Sequence, residues 1–258
     1  MNAFLKATDF LVVIPARLGS SRLPRKPLAD LGGKPMVVRV AERAKQSNAQ
    51  SVIVATDSAE IQAVCDTHRI ECLLTSPDHP TGTDRIAEVA QVLKLPASAL
   101  VVNVQGDEPL IPIELINQVA QTLADNSNCA ISTVATPISE HAEIENPNVV
   151  KVVLNRAQEA LYFSRAPIPF LRDQHMQSYG SNLRHLGIYA YRADFLQAFT
   201  RLEPAPPEQA EALEQLRALW NGYRIAVHIA DKAPPAGVDT PEDLERIRQI
   251  LLKSELKD

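Results

Sequence analysis

Four cations and no acid fall between Ala16 and Ala29 of a chain that is acidic overall: Arg17, Arg22, Arg25 and Lys26. They share a loop with Gly19, Ser20 and Ser21, and that loop leaves the apolar run Leu11–Ile14. Backbone N–H groups and serine hydroxyls in such a loop can approach phosphate oxygens closely, while Arg and Lys neutralise the charge. Two carboxylates occupy comparable positions. Asp107 follows the apolar run Leu100–Val104, between Gly106 and Glu108–Pro109, and Asp239 follows the run Arg224–Ile229, just before Thr240–Pro241. Either one alone also suits a turn. Together with the basic loop they favour one Mg²⁺ shared with phosphate oxygens.

Other candidates fall in similar places. Gln105 offers both a donor and an acceptor to a base edge, or to the backbone at a strand end. Thr81, Gly82, Thr83, Asp84 and Arg85 open a helix, where free amides serve either an anion or ribose, or an ordinary N-cap at Thr81 or Thr83. Arg165 stands between a strand and the rigid turn Ala166–Pro169; its fork suits a carboxylate, or a surface ion pair. His185, Tyr189, Glu214 and Gln215 are weaker individually, since a lone His or a strand Tyr more often belongs to the core.

These residues need a frame. Strand-like runs at Leu11–Ile14, Ser51–Ala55, Glu71–Leu74, Leu100–Val104 and Ala130–Ala135 alternate with helix-like segments near Pro35–Gln46, Ala59–His68, Asp84–Leu93 and Ile113–Asp125. Alternation of this kind implies a mostly parallel sheet covered on both faces, with ligands beyond the carboxyl ends of the strands. The polar loops do follow the strands. The second half is richer in β structure: runs at Val149–Leu154, Ala160–Phe163 and His185–Tyr191 read as strands, with the polar segment Asp173–Ser181 between the last two. Helices follow near Ala193–Arg201 and Pro207–Leu219, and a closing helix, Pro241–Leu252, has Thr240 as N-cap and acids in its first turn. The whole chain, 1–258, reads as one domain with a β-rich insertion at about 155–192, a plausible surface for a partner subunit.

A formal net charge of -5 disfavours general nucleic-acid binding. Cys65, Cys72 and Cys129 form no C-x-x-C pair and read as free thiols, which suits a reducing cytoplasm. No apolar run reaches the length of a membrane span, and no secretory leader is evident, so a soluble intracellular protein is expected. The phosphate-binding G-x-x-x-x-G-K-[ST] loop, the dinucleotide G-x-G-x-x-G fingerprint and the G-x-S-x-G elbow are all missing.

The pieces IPARLGSSRLPRKPL, TGTDRIAE, NVQGDEPLI, YFSRAPIPF, RHLGIYAYR, LEQLRAL and GVDTPEDLERI, in this order, resemble the sugar-activating nucleotidyltransferases. More narrowly they resemble the 3-deoxy-manno-octulosonate cytidylyltransferase (CMP-Kdo synthetase) family, from Val12 to about Ile250. The chain departs at Thr81, where Ser is more usual, and at Asn221–Gly222, where an aromatic residue commonly precedes the glycine. The resemblance implies an α/β fold of glycosyltransferase-A-like (Rossmann-like) type, three layers α/β/α, and a homodimer formed through the insertion. It implies the reaction of CTP with Kdo (3-deoxy-D-manno-octulosonate) to give CMP-Kdo and pyrophosphate with Mg²⁺, for lipopolysaccharide assembly. An 8-amino derivative of Kdo or another 2-keto sugar acid is the alternative acceptor. By match to the family's motifs, Arg17, Ser20, Ser21 and Lys26 would hold the CTP phosphates. Thr83, Arg85 and Gln105 would handle cytidine. Asp107 and Asp239 would bind magnesium, and Arg165, His185, Tyr189, Glu214 and Gln215 would line the Kdo pocket. Catalysis would rest on Arg17, Lys26, Asp107 and Asp239.

Overall fold

Strands of near-continuous Val, Ile and Leu bury both faces, so they need helices on each side. The computed structural model describes residues 8–19, 23–170, 172 and 182–255, and it has this arrangement. The strands β1 (Phe10–Ala16), β2 (Ser51–Thr56), β3 (Glu71–Leu74) and β4 (Leu100–Asn103) are parallel, in the spatial order β3–β2–β1–β4. Beyond β4 lie β8 (Leu183–Arg192), β5 (Ile131–Pro137) and β9 (Ile225–Ile229). The strand β8 is antiparallel to both of its neighbours, whereas β5 and β9 pair in parallel. Only β8 therefore opposes the common direction on this path. The hairpin of β6 (Lys151–Leu154) and β7 (Ala160–Ser164) joins through β6 to the start of β8.

Side-chain alternation along the strands divides the core into two layers. Val12, Ile14, Val54 and Val102 face α1 (Met36–Ala44), α2 (Ala59–Thr67), α4 (Ile113–Asp125) and α9 (Pro241–Glu255). Val13, Ile53, Ala55 and Val101 face α3 (Gly82–Val92), α6 (Ala193–Phe199) and α8 (Gln215–Trp220). Burying a Val or Ile side chain contributes about 1.5–3 kcal/mol, so these layers hold the strand ends, and the loops on them, in register.

Two details differ from the sequence reading. The helix expected over Pro207–Leu219 is two, α7 (Pro206–Glu211) and α8, because Ala212 adopts a left-handed conformation at φ 50° and turns the chain. A short helix, α5 (His141–Glu145), was not expected at all. The closing helix starts as read: Thr240 Oγ1 accepts the Asp243 amide at 3.2 Å. It runs past Leu252 to Glu255. Likewise Thr81 caps α3 by accepting the Asp84 amide at 3.2 Å.

Candidate active site

The basic loop turns back on itself through a 3-10 turn, Lys26–Leu28, entered from Arg25 in the left-handed region at φ 58°. This geometry aims Lys26 across the carboxyl ends of the parallel strands. Its Nζ donates to Asp107 Oδ2 at 2.6 Å, to the Val238 carbonyl at 2.9 Å and to Asp239 Oδ1 at 3.1 Å. Burial pulls the ammonium's pKa down, but the bonds and charges of Asp107 and Asp239 outweigh it and hold the pKa above the ordinary lysine value. The loop bearing Asp239 is seated by the Val238 amide, which donates to the Asp107 carbonyl at 2.9 Å. Gly237 permits that seating, since a Cβ there would stand 2.9 Å from the same carbonyl.

A cavity of about 360 Å³ opens here, lined by Arg17, Gly19, Lys26, Gln105, Gly106, Asp107 and Asp239 among others. A second, of about 210 Å³, shares Pro15, Ala16, Arg17 and Gln105 with it and adds His79, Pro80, Thr81, Gly82 and Arg85. Arg17 and Gln105 stand where the two cavities meet, with Lys26 lining the first and His79 and Arg85 lining the second. A third cavity, of about 300 Å³, lies beyond Asp107 and Asp239 and is lined by Glu108, Arg184, His185 and the 234–237 segment.

Glu108 adds a third carboxylate. Burial, then repulsion from Asp107 and Asp239, pushes its pKa up to about 7. Asp107 and Asp239, two carboxylates on one ammonium, leave an excess of negative charge, which suits a further cation. Among the described residues no group of three or more His, Cys, Asp or Glu side chains forms a protein-only metal cage. Mg²⁺ commonly takes only one or two carboxylates and completes its shell with phosphates and water, so the donor set fits that ion when a triphosphate is present.

The structure gathers Arg17, Lys26, Gln105, Asp107 and Asp239 around one cavity, while Ser20 and Ser21 lie outside the described residues. Arg85 lines the second cavity, but its guanidinium is engaged with Asp57 at 2.9 Å and with the Thr75 hydroxyl, tying together the ends of β2, β3 and α3. Thr83 turns from that cavity and donates to Glu214 Oε2 at 2.6 Å. With Tyr189, Gln215, Tyr191 and Phe199 these two line a small void of about 20 Å³. Among the described residues Glu214 Oε1 and Gln215 Nε2 are buried there without hydrogen-bond partners, and burial raises the Glu214 pKa. His185 packs between Phe163 and Tyr189, with Nε2 2.9 Å from Thr133 Oγ1, and burial lowers its pKa to about 3. Arg165 is apart from all three cavities. It donates to the carbonyls of Glu211 at 2.7 Å, Pro147 at 3.0 Å and Ala212 at 3.4 Å, and so holds the turn that leads to Glu214.

Sequence reasoning missed Asp57, His79, Glu88 and Glu108. Their positions after strands or in the α3 loop were the available signal, but each is a common turn or helix residue.

A basic loop thus faces two carboxylates at the carboxyl ends of a mostly parallel sheet. The chain belongs to the cytidylyltransferase family, whose model matches residues 11–225. It is 80% identical, over 98% of its length and the whole of the relative, to a protein of Polynucleobacter necessarius named 3-deoxy-manno-octulosonate cytidylyltransferase. It is 55% identical to one of the same name from Neisseria meningitidis serogroup C, covering 94% of this chain and 98% of that one. A solved structure of CMP:2-keto-3-deoxy-manno-octonic acid synthetase complexed with CTP superposes with a TM-score of 0.88 at 42% identity, covering 95% of this chain and 99% of the other. A cytidylyltransferase from Leptospira borgpetersenii shares the fold at 14% identity, with a TM-score of 0.61 and coverage of 96% of this chain and 88% of that one.

Proposed function

We propose that the protein transfers the cytidylyl group of CTP to Kdo, giving CMP-Kdo and pyrophosphate. One observation carries this reading: Lys26, Asp107 and Asp239 converge at the Arg17 cavity in a chain 80% identical to a protein named for that activity. The anomeric hydroxyl of Kdo attacks the α-phosphorus, and the bond to the β-phosphate oxygen breaks. Both reactants are anionic, so charge neutralisation and positioning dominate. Arg17 and Lys26 bind the phosphates, and Lys26 turns from the carboxylates toward the triphosphate as it enters. Ser20 and Ser21 would add hydroxyls for the phosphates, as the family resemblance implies. Gln105, at the junction of the two nucleotide cavities, serves the ribose and base, with Arg85 shaping the wall. Asp107 and Asp239 would hold Mg²⁺, which when bound would supply Lewis-acid polarisation of the α-phosphate and acidify the attacking hydroxyl.

The acceptor lies on the His185, Tyr189, Glu214 and Gln215 side. The unpartnered atoms of Glu214 and Gln215 support this, because a buried polar atom without a partner is costly until a ligand hydroxyl meets it. Arg165 supports that pocket by holding the turn at Ala212. We also place the protein in the cytoplasm as a homodimer. Its free thiols support the first, and the exposed Leu161 and Tyr162 on β7, with Phe170 at 85% exposure, support a covered apolar face on the insertion. Pyrophosphate release on mixing the protein with CTP, Mg²⁺ and Kdo tests the reaction. Release with 8-amino-Kdo or another 2-keto sugar acid, and none with Kdo, would reassign the acceptor.

A further inference from the structure

The second nucleotide cavity has a wall that neither the phosphate-binding residues nor the carboxylates explain. It is the 75–81 segment, and α3 is built to hold it. Thr81 caps the helix, Arg85 grips Thr75, and Glu88, one turn further on, takes two bonds from the segment. Glu88 Oε2 accepts the Ser76 amide at 2.9 Å and lies 2.5 Å from His79 Nε2. His79 lines the cavity with Arg17, Arg85 and Gln105. Both partners are mostly shielded, with side chains 21% and 27% exposed.

The polarity of this pair can be assigned. Burial favours the neutral Glu88 acid, but the bonds from His79 and the Ser76 amide outweigh it and hold the pKa below the ordinary glutamate value. Glu88 is thus a carboxylate, which only accepts, so His79 Nε2 carries the hydrogen. In the neutral ring Nδ1 is then an acceptor, and among the described residues it has no hydrogen-bond partner. Cytosine presents an exocyclic amine, a donor, where uracil presents a carbonyl, an acceptor. An acceptor fixed in the cavity wall attracts the first and repels the second. A histidine oriented by a carboxylate behind it is a recurrent way of fixing one tautomer.

We propose that His79, held as its Nε2–H tautomer by Glu88, is a specificity residue that selects the cytosine base over uracil. The proposal rests on the reading of CTP as the nucleotide. Its test is the ratio of kcat/KM for CTP to that for UTP, with Kdo saturating, in wild type, His79→Ala and Glu88→Gln, alongside calorimetric binding of both nucleotides. Loss of one hydrogen bond and of one repulsion is expected to lower the ratio about tenfold or more in His79→Ala, mainly through CTP, and to lower it less in Glu88→Gln. The KM for Kdo should stay within about twofold. If CTP and UTP activities fall by the same factor, the pair only shapes the loop and the proposal is overturned. An unchanged ratio overturns it too. Should His79→Ala fail to fold, the Glu88→Gln ratio decides in the same way. A wild-type protein that does not prefer CTP refutes the cytidine reading itself, before any variant is made.

Discussion

Replacing Lys26 with methionine should have opposite effects on metal binding and on turnover. The ammonium stands 2.6 Å from Asp107 and 3.1 Å from Asp239, with its side chain only 17% exposed. At an effective dielectric near 20 these contacts amount to about 6 and 5 kcal/mol of gross attraction. Desolvation of the ammonium opposes that, and Asp239, half exposed, is strongly screened. A net coupling of about 1–2 kcal/mol is a fair order of magnitude. A divalent cation must overcome this coupling to reach the carboxylates, so Lys26→Met should tighten Mn²⁺ binding in the absence of nucleotide by about 5–30-fold. Calorimetry or the Mn²⁺ paramagnetic resonance signal reads this directly. Turnover with CTP should fall by about 10²–10³-fold, because the cation proposed to bind the phosphates is gone. Unchanged or weaker Mn²⁺ binding to the nucleotide-free variant would refute the idea that Lys26 and the metal share these carboxylates.

Three further outcomes follow from the geometry. Asp107→Asn should leave a folded protein whose turnover is reduced by about 10³-fold or more, with weakened Mn²⁺ binding in the presence of CTP; near-normal kcat would remove Asp107 from the site. His185 has its pKa depressed to about 3 by burial, so the unfolded chain, titrating near 6.5, binds the proton first. Stability from this group is therefore complete above about pH 6.5 and declines by about 1.4 kcal/mol per unit as pH falls toward 3. His185→Gln should flatten that slope in urea titrations at pH 7, 6 and 5. Arg217 forms a two-pronged pair with Glu208 at 2.5 and 2.8 Å and lies 4.6 Å from the Phe199 ring centre. Arg217→Met leaves the half-buried Glu208 carboxylate with only the Ala205 amide and should cost about 2–3 kcal/mol, measured as a lower urea midpoint at unchanged m.

Much of the site was legible in the chain because its parts are local. A strand of Val and Ile, a polar loop and a helix start can be read within about twenty residues, which is how Arg17, Lys26, Gln105, Asp107 and Asp239 were read as loop residues after strands, and the structure sets them around one cavity. What was not legible depends on contacts made at long range. Nothing in Ala212 advertises a left-handed turn, yet the turn separates α7 from α8 and sets Glu214 and Gln215 at the start of the second helix. Arg165 reads as a free fork, but three backbone carbonyls from two distant segments take it up. The direction of β8 followed from neither periodicity nor composition, because a strand entering a sheet from an insertion can pair either way. His79 and Glu88 gain meaning only when α3 folds back over the 75–81 segment.

The proposed reaction is direct transfer of a cytidylyl group from CTP to a sugar acid. Rapid-quench, single-turnover mixing of excess enzyme with CTP labelled at the α-phosphate, Mg²⁺ and Kdo tests it most directly. The label should pass from CTP to a sugar nucleotide in one phase, with no labelled protein at any time. Label trapped on the protein, or label that stays in CTP while Kdo is present, would rule out direct transfer.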